Sequence, residues 1–513
     1  MLRIAYLWLW LLPCIVAAQT PASIERAVQS ITAQDIRRRI GILADDSTRG
    51  RATPSPELEK VARWIAAEFR RFGLKPGAGD GTYLQRYAIL RKQLDTTQTF
   101  FTVARAGTSP LSVHAGRDLN VMQFGAPPPS RDVTGPVILL PVSADPTDPL
   151  GGADVRGAWV VELASGGRRD VQTIQTALAA GAVGLILVTD RSDAEWRARI
   201  GGGYEPTVTL EQEPAAETPA VPGLVEIRDQ TARRLLGLDP AGLRTANPRR
   251  ARRLDGMTVT LRVREHVVSA TSAPNVIGIL EGSDPQLKNE YVFFTAHMDH
   301  LGVASPQNPM CRPRGRDSVC NGADDDASGT AAVIENAQAF AQLVPHPVRS
   351  LVFMTVSGEE KGLWGSQYFT AHPTVPLSAV VADLNSDMVG RNWKDTIAVI
   401  GKEQSDLGAT LDRVAAAHPE LRLTPIGDIW PKEQFYVRSD HYNFARRGVP
   451  ILFFFNGVHA DYHQVSDEVS RIDAEKESRI VRLVFYLGLD VATARARPRW
   501  DPASYKLVVE GAN

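Results

Sequence analysis

The sequence predicts a layered α/β protein, and three observations carry that expectation. Short apolar runs alternate with helix-like segments through the second half of the chain, the pattern of a sheet covered by helices. The middle of the chain changes texture, with brief buried strands and a helical segment separated by Gly- and Pro-containing loops. A length of 513 residues at 43% hydrophobic and 22% charged leaves ample material for two to four domains with their own cores.

The extreme N-terminus reads as a targeting segment. Arg3 supplies a positive start, residues 4–16 are apolar, and Val16-Ala17-Ala18 offers the small residues at which a signal peptidase cuts. The run is short for a membrane span. Cys14 would suit a lipid anchor, but Pro13 directly before it fits that signal badly. The expectation is a secreted or periplasmic protein, with residues 1–18 removed and no membrane attachment afterwards. A formal net charge of −1 provides no field for nucleic acid or for an anionic membrane surface.

Next, residues 22–45 place Ile24, Val28, Ile31 and Ile36 at helical spacing. A polar turn over 46–51 follows. Pro54-Ser55-Pro56 opens an amphipathic helix with Leu58, Val61, Ile65 and Phe69 on one stripe, stopped by Gly73 and Pro76. Residues 83–103 read as strand. In the middle, 137–140, 159–163 and 185–188 are short buried strands and 174–180 is helical, with loops at 201–203 and 212–222. No GxGxxG phosphate loop and no cluster of His, Cys and acidic residues occurs there, so a nucleotide site is not indicated. Arg249, Arg250, Arg252 and Arg253 form a basic run that reads as a solvated linker. Strands are expected at 258–264, 276–280 and 291–295, and helices at 328–341 and 475–492.

Beyond the leader the chain has two cysteines, Cys311 and Cys320, in Pro/Gly/Arg-rich loop sequence. In an oxidising compartment they predict a disulfide. Two cysteines cannot build a structural zinc site alone.

Chemistry-bearing residues collect at the ends of the apolar runs. Glu359 and Glu360 follow the run 351–356. Adjacent carboxylates repel, and one is forced neutral unless a cation or good solvation keeps both ionised. The bland alternative is a helix start, where acids complement the first turn. His297-Met298-Asp299-His300 follows the run 292–294. Asp324-Asp325-Asp326 precedes a helix, Asp387 follows the run 380–382, and Tyr462-His463 lies a short loop beyond the run 451–455. Alone, each has an ordinary explanation: a hydrogen-bonding histidine, a solvated helix start, a surface acid. Together they place histidines and carboxylates at strand ends, where open α/β sheets bind ligands. Mixed His and Asp/Glu ligation suits zinc.

These segments resemble the co-catalytic zinc aminopeptidase family that includes bacterial leucyl aminopeptidase, aminopeptidase Y and glutamate carboxypeptidase II. The matching residues are His297-x-Asp299, Gly322-Ala-Asp-Asp-Asp-Ala-Ser-Gly329, Glu359-Glu360-Lys-Gly-Leu-Trp-Gly-Ser366, Asp387-Met388 and Tyr462-His463-x-x-x-Asp467. The resemblance implies a three-layer zinc-peptidase domain with a mixed central sheet and two zinc ions. One ion would be held by His297 and Asp387 and the other by Glu360 and His463. The following Ser-Gly aligns Asp325 as the bridge between them, with Asp324 as the alternative. Asp299 would hold the His297 ring. Glu359 would carry the proton from a water shared by the metals to the leaving amine, and Tyr462 would face the oxyanion or else simply pack beside His463.

The middle segment resembles a protease-associated domain, through Asp154-Val155-Arg156-Gly157, Ala179-Ala180-Gly181-Ala182-Val183-Gly184 and Thr218-Pro219-Ala220-Val221-Pro222. This resemblance implies a β-rich lid or substrate-selecting insertion at 115–255, between 19–114 and 256–495 of the peptidase domain, with 496–513 as a tail. The expected activity is removal of N-terminal residues from peptides. A carboxypeptidase or dipeptidase on the same scaffold is the enzymatic alternative, and a receptor-like binding protein the non-catalytic one. No residue of the sequence marks a pocket for a substrate carboxylate. Side-chain preference, native metal and oligomeric state are not written in it.

Overall fold

A computed structural model describes residues 19–122, 130–142, 147–164, 171–201, 204–211, 223–305, 308 and 310–511. The expected leader at 1–18 and the expected loop at 212–222, with its Thr218 to Pro222 motif, lie outside these residues. The chain forms two compact units, one made of Met1–Tyr87 with Ser272–Asn513 and the other of Ala88–Thr271.

The first unit is built on a mixed sheet. Tyr291–His297 lies at its centre, parallel to Ser350–Val356 on one side and to Val380–Ser386 on the other. Ile451–Phe455 continues the parallel order beside Val380–Ser386. Glu265–Leu280, through residues 276–280, and Thr396–Ile400 come next on the two flanks in antiparallel register, and Thr424–Ile426 pairs in parallel beyond Thr396–Ile400. Every residue of Ser350–Val356, Val380–Ser386 and Ile451–Phe455 is buried. Continuous apolar strands of this kind need cover on both faces. Phe293 and Phe294 show that both exist, because consecutive strand residues point to opposite faces. Phe293 packs on Phe369 and Phe444, each 5.5 Å away between ring centroids, from the helices Trp364–Ala371 and His441–Ala445. Phe294 packs at 5.3 Å on Phe340 of Gly329–Ala341, which meets Phe485 of Ala474–Thr493 at 4.4 Å. The result is helix, sheet, helix, a mixed α/β architecture.

The N-terminal segment read as a single helix over 22–45 is two helices, Pro21–Gln29 and Ala33–Leu43. Thr32 accepts a hydrogen bond from the Asp35 backbone N–H at 3.0 Å, starting a new helix where the apolar spacing lengthens between Ile31 and Ile36. The strand read over 83–103 is likewise two, Leu84–Leu94 and Phe100–Arg105. Asp95 divides them by accepting from the backbone N–H groups of Thr97 and Gln98.

The second unit holds an eight-stranded sheet in the order Leu111–His114, Phe100–Arg105, Arg252–Val263, Arg131–Leu139, Trp159–Leu163, Gly184–Thr189, Gly223–Arg228 and Asn120–Val121. Trp159 explains two of its glycines. A Cβ on Gly184 would come within 2.5 Å of the indole, and one on Gly223 within 2.3 Å, so only bare backbone lets the ring lie across the neighbouring strands. The basic run is a correction to the sequence reading. Arg252 and Arg253 are not linker but the first residues of the strand Arg252–Val263, opposite Leu139 and Ile138, with their side chains exposed. A strand with one solvated stretch tolerates arginine, which local charge density alone does not reveal. No helix among the described residues is long and apolar enough to cross a membrane.

Candidate metal centre

The parallel strands of the first unit end on the same side, and their last residues carry the site. His297 closes its strand, anchored by its own backbone: its N–H donates to Asp326 Oδ2 at 3.1 Å, and its carbonyl accepts from Thr330 Oγ1 at 2.8 Å. Its ring Nε2 stands 3.2 Å from Asp325 Oδ1 and 3.6 Å from Asp387 Oδ1. On the far side of Asp325, His463 Nε2 lies 3.2 Å from Asp325 Oδ2 and 3.5 Å from Glu360 Oε2. Asp325 therefore faces one histidine with each oxygen. Asp324, the alternative bridge, points away from this pair: its Oδ1 accepts from the Gly390 N–H and its Oδ2 lies 3.1 Å from His459 Nε2.

Glu359, Tyr462 and the His297–Asp325–Asp387 group line one cavity with His463. Burial and then the neighbouring Glu360 push the Glu359 carboxyl well above the usual carboxylate range, against the opposing pull of His297. Burial opposes charge on His297 too, but Asp387 and Glu359 outweigh it and raise the imidazole well above its ordinary value. Tyr462 stacks on His463 with ring centroids 3.8 Å apart, and burial raises its phenol so that it stays protonated. Asp299 reaches the His297 ring differently from expectation. Its backbone carbonyl is 3.2 Å from His297 Nδ1, whereas its carboxylate is 3.7 Å away. That carboxylate accepts instead from Thr53 Oγ1 at 2.8 Å and from the Glu359 N–H at 3.3 Å, tying the two site segments together.

Cys311 and Cys320 form a disulfide, with Cα atoms 5.9 Å apart. It packs with Leu301 and Val465, next to the segments that carry His300 and His463.

Several functional residues carried no assigned role in the sequence. Arg51, read as part of a polar turn, is fully buried and donates to the carbonyls of Met298, Gly322 and Asn321. Asp326 accepts from the backbone of His297, Gly329 at 2.8 Å and Met388 at 3.2 Å, joining three site segments. Asp467 accepts from the backbone N–H groups of Asp324 and Asp325, both at 3.1 Å, and so aims the triple aspartate. Ser439 donates to Asp387 Oδ2 at 2.8 Å. His300 is fully buried, with Nδ1 2.7 Å from Glu360 Oε1 and 3.8 Å from Asp325 Oδ2. Its place in the His297-x-Asp299-His300 run was the one available signal.

The donor set fits divalent cations. Two ligands each about 2.0–2.1 Å from zinc at a tetrahedral angle stand about 3.3 Å apart, close to the separations around Asp325. Two groups of donors converge, His297 with Asp325 and Asp387, and His300 with Asp325 and Glu360. Asp387 Oδ1 and His300 Nε2 are buried and make no hydrogen bond among the described residues, while His300 Nδ1 and Glu360 Oε1 face each other at 2.7 Å. Unpaired buried acceptors beside several carboxylates are costly without a cation.

Residues 275–488 match the sequence profile of peptidase family M28. A probable leucine aminopeptidase of Trichophyton verrucosum (strain HKI 0517) is 26% identical over 231 residues, covering 43% of this chain and 58% of that protein. Leupeptin-inactivating enzyme 1 of Streptomyces exfoliatus is 26% identical over 222 residues, 43% of each chain. The chain thus spans only about half the length of these curated relatives. An aminopeptidase from Aneurinibacillus sp. strain AM-1 shares the fold over 93% of this chain and 98% of its own, with a TM-score of 0.50 at 19% identity. The strand ends and every donor around Asp325 fall inside residues 275–488, the segment that matches peptidase family M28.

Proposed function

We propose that the protein is an exported zinc-dependent aminopeptidase that removes N-terminal residues from peptides. The observation that carries this reading is Asp325, set 3.2 Å from His297 on one oxygen and 3.2 Å from His463 on the other, as a bridge between two cations requires. His297 and Asp387 would hold one zinc ion, and Glu360 and His463 the other. Zinc bound there would polarise the scissile carbonyl and lower the pKa of the water the two ions share.

The remaining steps belong to the chain. Glu359 takes a proton from the attacking water on its carboxylate and delivers it to the departing amine. Tyr462, protonated and stacked on His463, donates its hydroxyl to the oxygen on which negative charge develops. Asp299 fixes the Glu359 backbone and the His297 ring together, so base and metal ligand keep one geometry. The disulfide supports an oxidising compartment and hence export. Residues 115–255, within the unit Ala88–Thr271, would be the protease-associated insertion and select substrates.

The test is hydrolysis of aminoacyl p-nitroanilides by the purified protein. Activity that stops with a chelator and returns with zinc supports the assignment. Inactivity across peptides at full metal content would favour the receptor-like alternative. The convergence of two donor groups on Asp325, beside a cavity that Glu359 lines, argues for catalysis over binding alone.

A further inference from the structure

The cavity that contains His297, Asp325 and Glu359 also contains Arg438, the single cation other than histidine along its wall. Everything charged around it on the catalytic side is a carboxylate or an imidazole. A guanidinium placed there would ordinarily pair with an acid. Arg391, nearby in the fold, does so with Asp461 at 2.8 Å. Arg438 does not. Its guanidinium lies 4.7 Å above the Phe435 ring, and among the described residues no carboxylate or carbonyl bonds to it.

The backbone explains how it is held. Arg438 N–H closes a turn on the Phe435 carbonyl at 3.0 Å. The next residue, Ser439, donates to Asp387 Oδ2 and accepts from Asn385 Nδ2 at 3.2 Å. Arg438 is therefore indexed to the same Asp387 that faces His297. Stacking a guanidinium on an aromatic face occupies its plane and leaves its edge N–H donors free, in the fork geometry that matches a carboxylate.

Resting on the aminopeptidase reading, we propose that Arg438 binds the C-terminal carboxylate of short peptides, making dipeptides and tripeptides with an apolar first residue the preferred substrates. Phe453, Phe455, Met388 and Val458 supply an apolar wall in the same cavity for the first side chain. The free carboxylate of such a peptide lies one or two residues beyond the scissile bond, at about 3.3–3.6 Å per residue, and would meet Arg438 on the wall of the same cavity. Longer or amidated peptides present no anion there.

The experiment compares leucyl-alanine with leucyl-alanine amide on the zinc-loaded full chain. The free acid should be favoured at least tenfold in kcat/KM, chiefly through KM, as one charge-assisted bidentate pair provides. In R438Q the preference should vanish, and in R438K it should survive in part, since lysine keeps the charge but not the fork. Equal rates on both peptides in the wild-type protein, or a preference that persists in R438Q, would overturn the proposal. Binding of both peptides to E359Q by calorimetry reads the same preference without turnover. Tighter binding of the free acid, lost in E359Q/R438Q, supports the carboxylate contact even if the hydrolytic reading were to fail. Equal binding would sink it. Tighter binding of leucyl-glutamate amide than of leucyl-alanine would redirect the contact to an acidic side chain and also overturn the proposal.

Discussion

Glu359 and Glu360 are neighbours in sequence but face different tasks. Glu360 points one oxygen at His463 at 3.5 Å and the other at His300 at 2.7 Å, while Glu359 lines the cavity beside His297. If Glu359 is the proton carrier, Glu359→Gln keeps the shape and loses the proton acceptor. Turnover should fall about 10²–10⁴-fold while metal content by atomic absorption stays that of the wild type. A near-normal rate with intact metal would remove Glu359 from that role. His300 is fully buried, with Nδ1 2.7 Å from Glu360 Oε1 and Nε2 making no hydrogen bond among the described residues. Whether it contacts a cation directly or steadies Glu360, its removal takes away the imidazole that stands 2.7 Å from Glu360 Oε1. His300→Ala should weaken metal retention about 10–100-fold in a chelator titration. Unchanged retention would reduce His300 to core packing.

Among the elements, the turn from Gly322 into the helix Gly329–Ala341 shows how tightly the site is set. Gly322 has φ +55°, and a Cβ there would lie 2.1 Å from the Asp325 carbonyl and 2.5 Å from the His300 ring. The conformation disfavours an L side chain and the space is already filled. Gly322→Ala should therefore cost about 1–3 kcal/mol in chemical denaturation and lower metal retention together with it. Loss of stability with normal metal binding would separate the turn from the site. Arg51, beneath this turn, satisfies the Asn321 and Gly322 carbonyls that an irregular buried segment otherwise leaves unpaired.

At the scale of the whole molecule, buried titratable groups tie stability to pH. Asp383 lies in the middle of the buried strand Val380–Ser386 and accepts from Thr295 Oγ1 at 2.7 Å. Burial outweighs that hydrogen bond and raises its pKa from 3.8 to about 8. Between those values the native chain holds a proton that the unfolded chain has released, so stability falls as pH rises from about 4 through 8. Asp383→Asn keeps the shape and cannot ionise. Its thermal midpoint relative to wild type should rise between pH 5 and pH 9, and a difference that stays constant would show that Asp383 ionises freely in the fold. Much of the architecture was legible from local pattern. The runs at 291–295 and 351–356 became the central strands, because an apolar run bounded by polar turns is a strand wherever a sheet buries it. The helix expected at 475–492 is Ala474–Thr493, marked by its long apolar stripe. The breaks at Thr32 and Asp95 were missed, because single side-chain caps override periodicity that runs on across them.

By itself the sequence pointed to the candidate donors and showed that His297, Glu360 and Asp387 each come just after an apolar run, since such runs mark where a buried sheet stops and its polar ends begin. Only the tertiary structure decided which of them meet. Strand order brings His297, Asp325, Asp387, Glu360 and His463 within ligand distance although they come from distant segments. The same packing buries His300 against Glu360 and leaves Arg438 unpaired on Phe435. Local spacing cannot show either, because what a buried or unpaired charge can do depends on the neighbours that long-range folding places around it.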